Sequence, residues 1–304
     1  MATNLDYRMK FDRTQTILIF FLLIIAAGLR VPKIGIPLYN EEYLDLFWFG
    51  QVPWKDLILE YTNPGQKSLV AIIWKISKFL FGEESEIIFR AGSWIPGILA
   101  IPLLYKVGVT LFRSHYTGFI SATFLACSHL HLKQSLYLRG YSLTAFLSLV
   151  VTYCVIMITH QEKSRLWRVL LIVAGISMVL TLPSNANFLL AVTLFYLMSV
   201  WDRHENIRTY FNINFLKSLL PFIVLGITTI LYFIQISDDL RYGMSFYGQY
   251  YLSLGLNPNW NWPAFFEVLK ELSKPWGPGL YVLFFYGLVI LKNKKKLLPF
   301  LMIF

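Results

Sequence analysis

Residues 141–159 read YSLTAFLSLVVTYCVIMIT, nineteen positions without an Asp, Glu, Lys or Arg. As an α-helix this run extends about 28 Å, close to the roughly 30 Å hydrocarbon core of a bilayer. Similar apolar runs lie near 17–31, 87–112, 118–132, 168–182, 186–200, 216–236 and 279–291. Membrane-spanning strands would instead alternate apolar and polar residues over segments of about ten, so the expected fold is all-α, a polytopic membrane helical bundle. Composition agrees: of 304 residues, 56% are apolar, 17% aromatic and 14% charged, more oily surface than one soluble core buries. Intrinsic disorder is excluded by 25 Phe, 18 Tyr and 9 Trp, which would not stay unburied in water. Cys127 and Cys154 both sit in apolar stretches and imply no disulfide framework.

The first run follows Arg8, Lys10 and Arg13 in the manner of a signal peptide, but Ala26, Ala27 and Gly28 make no convincing cleavage site. It is expected to remain as an anchor. At the other end, Leu297 to Phe304 would rise only about 12 Å, so a single membrane domain over 1–304, incomplete at its C-terminal end, is expected.

A net charge of +10 raises the possibility of a nucleic-acid partner, which the placement of the 27 Lys and Arg removes, since they cluster in short loops. The ambiguous segment is Ser68–Phe81, apolar enough to span yet carrying Lys75 and Lys78. With it kept out of the bilayer, loops 1–16, 113–117, 160–168, 201–217 and 292–296 share one side and hold 14 Lys and Arg in 52 residues. Loops 30–86, 129–140, 183–187 and 237–278 hold 11 in 116. The denser side is cytoplasmic by the positive-inside rule, with the N-terminus there. Ser68–Phe81 is then expected as an amphipathic interfacial helix in the first outer loop, its lysines snorkelling and Trp74 at headgroup level. A bacterial inner or plasma membrane is the expected location.

This parity places the residues suited to chemistry on the outer face. Asn40-Glu41-Glu42 forms an acidic step after the first run, and a carboxylate there can act as general base toward a hydroxyl, or simply begin a solvated helix. The outer turn Ser128–Tyr141 holds His129, His131, Lys133, Arg139 and Tyr141. Arg139 and Lys133, with His131, suit an anionic phosphate, and Arg is the geometric favourite because its planar fork matches two oxygens. Snorkelling explains Arg139 equally well, and interfacial hydrogen bonding explains the histidines, whose i, i+2 spacing is not a helical metal pair. Arg90-Ala91-Gly92-Ser93 opens the second run, where Arg90 has Glu83, Glu84 and Glu86 as nearby partners. Aromatic residues from Tyr242 to Trp276 suit either a sugar face or an interfacial belt. No phosphate-cradling Gly-rich loop and no zinc spacing is present, so the sequence requires no metal, and a divalent ion is neither needed nor excluded as a cofactor.

The order of these features resembles the GT-C membrane glycosyltransferases, in particular the branch of protein O-mannosyltransferases and lipid A aminoarabinose transferases. Glu41-Glu42 matches that family's acidic step, Asn63-Pro64 to Gly82 its turn and interfacial helix, Arg90 to Ser93 its Arg-x-x-Ser opening, and Ser128 to Tyr141 its polar Arg-x-Tyr turn. The likeness covers roughly residues 15–200. Three positions depart from the family pattern: Glu41 stands where Asp is usual, Tyr137 where an acid is common, and Asn63-Pro64 where Pro-Pro is common.

The resemblance implies transfer of a sugar from a polyprenyl-phosphate donor to an acceptor hydroxyl of a lipid, glycan or protein, on the non-cytoplasmic face and with inversion. It further implies Glu41 or Glu42 as catalytic acid–base groups, and Arg139, Lys133, His131, Tyr141 and Arg90 around the donor phosphate. A transporter or flippase of a lipid-linked sugar is the competing class, to be recognised by broken helices and inverted repeats, which the sequence does not display.

The topology is open to direct measurement. Single cysteines introduced as Glu84→Cys and Lys295→Cys should label from opposite sides of intact cells; labelling of both from one side would reverse the parity and dissolve the proposed outer site.

Overall fold

The computed structural model describes residues 13–39, 42, 47, 50–59, 67–81, 86–160, 165–201, 213–242, 245 and 249. Several sequence expectations lie outside the described residues: Glu41, the Tyr61–Gly65 turn, Glu83 and Glu84, most of the aromatic loop beyond Tyr242, the 279–291 run and the Lys292–Lys296 cluster. Among the described residues all regular structure is helical and no strand is present. The chain runs through α1 (Arg13–Ile34), α2 (Asp56–Leu59), α3 (Ser68–Phe81), α4 (Glu86–Phe89), α5 (Ala91–Phe112) and α6 (His115–Cys127). It continues through α7 (His129–Leu136), α8 (Tyr141–His160), α9 (Arg165–Thr181), a 3-10 turn at Pro183–Asn185, α10 (Ala186–Trp201) and α11 (Ile213–Gln235).

Among the described residues four helices are long and apolar enough to cross a membrane: Gln15–Ile34, Ala91–Phe112, Tyr141–Thr159 and Ser218–Gln235. Their burial differs and orders the bundle. Helix α8 has 72% of its apolar window inside the protein, against 22% for α1 and 17% for α11. Val151, Cys154, Val155 and Ile158 of α8 pack with Leu171 and Met178 of α9 and Phe222 and Leu225 of α11. Ile17, Phe20, Phe21 and Ile24 of α1 and Ile227, Ile230, Leu231 and Ile234 of α11 remain exposed, an apolar surface too extensive for water and suited to lipid. The protein is an integral membrane protein with an all-α polytopic fold.

Single residues break two of the expected runs. The 118–132 run stops at Cys127, because Ser128 adopts an extended backbone (φ −62°, ψ 116°) and restarts the chain as α7, its Oγ accepting from His131 N at 3.3 Å. The 87–112 run is one turn, α4, followed by α5 after Arg90. Helix α3 has the expected bounds, yet its tryptophan is placed differently. Trp74 is buried within the protein rather than turned outward, with its ring 5.6 Å from that of Phe89. The exposed apolar end of α3 is Ile76, Phe79, Leu80 and Phe81. Lys75 donates to the Val52 carbonyl and sits over the Trp54 ring, which ties α3 to the preceding loop.

Helices α5 and α6 form a tight hairpin that seats α7 beside the site. Gly118 makes the close approach possible: a Cβ there would lie 2.7 Å from the Tyr105 carbonyl oxygen and 2.6 Å from Val109 Cγ2. Backbone cannot yield as a flexible side chain can. Gly118→Val is therefore expected to destabilise the protein by about 1–3 kcal/mol, the usual effect of overpacking, and thermal unfolding in detergent should record a lower Tm. An unchanged Tm would mean that the hairpin can separate freely.

Candidate active site

The chain leaves α1 through Gly35, Ile36, Pro37, Leu38 and Tyr39 and reaches Glu42, whose side chain is 1% exposed. The carbonyls at the end of α1 lack intrahelical partners and attract a cation. Arg90, also 1% exposed, supplies it from the junction of α4 and α5. Its Nη1 donates to the carbonyls of Ile34 (2.9 Å) and Ile36 (2.5 Å), and its Nη2 to Pro37 (3.3 Å). The same Nη2 meets Glu42 Oε2 at 2.9 Å. Among the described residues its ion partner is thus Glu42 and not the nearer Glu86.

Glu42 completes the knot. Its Oε2 also accepts from Tyr39 N at 3.0 Å, and its Oε1 accepts from Leu138 N at 2.7 Å. A carboxylate offers about four lone-pair sites, so three are engaged. One side chain thereby joins the exit of α1, the start of α5 and the loop between α7 and α8.

Helix α7 has two faces. His131 and Ser135, four residues apart, point inward. Ser135 Oγ donates to the Leu132 carbonyl at 2.8 Å and accepts from Arg30 Nε at 2.8 Å, while Arg30 Nη1 donates to the Ala26 carbonyl. His131 Nε2 lies 2.9 Å from the Gly97 carbonyl oxygen, which can only accept, so Nε2 carries the proton. Burial pushes the His131 pKa below its ordinary value, which keeps the ring neutral. A neutral imidazole turned toward α5 is a packing group. It does not offer the phosphate-binding cation that the sequence suggests at this position.

The outer face of α7 and the loop after it enclose a cavity of about 650 Å³, lined by Leu38, Tyr39, Glu42, Lys133, Gln134, Tyr137, Arg139 and Tyr141. It brings together Glu42, Lys133, Arg139 and Tyr141, which the sequence had singled out separately; Arg90 stands behind Glu42, and Glu41 lies outside the described residues. The loop turns at Gly140, whose left-handed backbone (φ +69°) places it against Val70 and Thr181; an added Cβ would come within 2.8 Å of Val70 Cγ2. Tyr137 occupies the position of the family's common acid. Its pKa is raised, by burial first and then by a hydrogen bond with Tyr39, so it stays a neutral phenol and supplies no second carboxylate. Sequence reasoning missed Leu38, Tyr39 and Gln134 as lining residues, and none of the three carries a local signal.

A family model described as dolichyl-phosphate-mannose-protein mannosyltransferase matches residues 65–237. The match takes in Arg90, α7, Lys133, Arg139 and Tyr141, and begins after the acidic step at Glu41 and Glu42. No curated protein and no solved structure matches the chain.

Removing one partner of a buried ion pair strands the other charge, at a cost of about 3–5 kcal/mol. Glu42→Ala and Arg90→Ala should therefore each lower the unfolding temperature of the purified protein sharply. The double variant should lose far less than the sum of the two, since no stranded charge remains. Strict additivity in this cycle would show that the pair is not a coupled unit.

Proposed function

The chain belongs to the dolichyl-phosphate-mannose-protein mannosyltransferase family, within the GT-C glycosyltransferases. On that premise we propose that it moves the sugar to an acceptor hydroxyl on the non-cytoplasmic face, with inversion at the anomeric carbon. The protein is a membrane glycosyltransferase using a lipid-phosphate-linked sugar donor. The observation that best supports the finer reading is the 650 Å³ cavity, whose lining brings Lys133, Arg139 and Tyr141 together with Glu42.

In this mechanism Glu41 takes the proton of the acceptor hydroxyl as its oxygen attacks the anomeric carbon. The bond from that carbon to the phosphate oxygen breaks, and its electron pair leaves with the carrier. A single displacement from the opposite side inverts the carbon. The phosphate gains negative charge as it changes from diester to monoester, and fixed cations oppose that growth best where water is excluded. Arg139 and Lys133 fill this role, with the Tyr141 hydroxyl as a further donor. Glu42, with three donors already on its oxygens, acts as a positioning residue through Arg90 and Leu138. The cytoplasmic N-terminus and the outer position of α3 follow from loop charge and complete the proposal.

Transfer from a radiolabelled polyprenyl-phosphate mannose by full-length protein in native membranes tests the assignment. Glu41→Gln keeps shape but removes the proton acceptor, so transfer should fall about 100- to 10,000-fold while donor binding survives. Arg139→Lys keeps the charge but loses the fork, and should weaken donor affinity tenfold or more. If Glu42→Gln shows the larger transfer defect with the protein still folded, the two acids exchange roles. Near-normal turnover in both Gln variants would end the carboxylate mechanism.

A further inference from the structure

Helix α7 closes a second, smaller cavity of about 330 Å³ against the end of α1. The helical repeat sorts its residues: His131 and Ser135 are buried, whereas His129, Leu132, Lys133 and Leu136 line this space. Lys33 enters from the last turn of α1, and Ile36 and Tyr39 from the chain beyond it. Arg90 also reaches the wall, but Glu42 already answers its charge. Among the described residues no Asp or Glu lines the cavity, so Lys33 and Lys133 face one space without a carboxylate between them. Like charges placed this way favour an anion in that space.

The remaining lining narrows the chemistry. Ile36, Leu132, Leu136 and the rings of Tyr39 and Tyr137 give the cavity an apolar side, which suits a phosphate esterified to a lipid better than a hydrated free anion. Its location agrees: the apolar stretch of α1 ends at Ile34, one residue past Lys33, a position from which a lysine can extend toward headgroups. The two cavities share Tyr39, Lys133 and Tyr137. The tyrosine rings, with centroids 5.1 Å apart, form the partition, and the Lys133 ammonium sits 5.6 Å from the Tyr137 ring centre.

We infer that the cavity between α1 and α7 is a second lipid-phosphate subsite, in which Lys33, His129 and Lys133 hold a lipid-borne phosphate beside the donor. It rests on the reading of the larger cavity as the donor-phosphate site, with Lys133 common to both. Its occupant is either a second prenyl-type phosphate or the phosphate of an anionic phospholipid, two sources of one chemistry.

The test counts phosphates and needs no turnover. Full-length protein in phosphatidylcholine nanodiscs is titrated with radiolabelled farnesyl monophosphate. Wild type should bind two equivalents, and Lys33→Gln/His129→Asn one; both residues are exposed, so folding should survive. A single equivalent in wild type, or two retained in that double variant, overturns the second subsite. Arg139→Ala separates this proposal from the donor reading: it should lose the other equivalent, and if it keeps both, the donor assignment fails while the count at Lys33 stands. Replacing part of the phosphatidylcholine by phosphatidylglycerol identifies the source. Displacement of the Lys33-dependent equivalent supports a phospholipid occupant, and its persistence supports a prenyl-type phosphate.

Discussion

The buried pair of Arg90 and Glu42 is the contact from which the site takes its shape. Withdrawing a guanidinium and a carboxylate from water costs several kcal/mol per ion, so such a pair is tolerable only when the remaining donors and acceptors are also met. Here they largely are: Arg90 donates to three carbonyls at the end of α1, and Glu42 accepts from two backbone amides besides the guanidinium. The carbonyls that a helix end leaves unpaired and the charge that a bilayer edge disfavours satisfy each other. As a result, segments 48 and 96 residues apart in sequence from Glu42 converge on one side chain. The cavity wall containing Leu38, Tyr39 and Glu42 is held against the wall containing Tyr137 and Arg139 by that convergence.

Helix α7 carries the same logic outward. It is only eight residues long, too short to be stable by itself in water. Its inner face is fixed by polar contacts rather than by oil: His131 to Gly97, and Ser135 to Arg30. These bonds set the helix rotation, and rotation decides which residues are left for chemistry. With 131 and 135 inward, 133 must lie on the outer side, where Lys133 serves both cavities. A polar inner face also explains why mean hydropathy misreads this stretch.

Much of the fold is legible in the sequence because hydropathy reports what each helix touches. The 141–159 run, with no charge over nineteen residues, is the most buried span, and α3 has the bounds its charge pattern indicates. What hydropathy cannot register is a single-residue event. Ser128 ends one helix and caps the next without altering the average of the window around it, so one run conceals two helices. Nor does periodicity encode partners far apart in the chain. Arg90 is readable as an arginine at a helix start, and its natural partners by proximity are Glu83, Glu84 and Glu86; its pairing with Glu42 depends on the path of α1, which is a tertiary fact. The burial of Trp74 is a related case. A tryptophan among lysines suits an interface, until the packing of α3 on Phe89 gives its ring a drier place.

Helix length connects these points to the reaction. Thirteen residues of α6 rise about 20 Å, well short of a bilayer core, and the chain turns at Ser128 into a helix bearing lysine and histidine. A span that stops early leaves a volume at the edge of the apolar region that only protein can line, and polar backbone is tolerated there because it faces a cavity rather than lipid. The two cavities occupy the flanks of α7, directly after this early stop. A donor made of an apolar tail, a charged phosphate and a hydroxylated sugar requires that boundary, since each of its parts demands a different solvent. The shortness of α6 and the presence of a cationic cavity beside it are therefore one structural decision, made at Ser128 and held in place by Arg90 and Glu42.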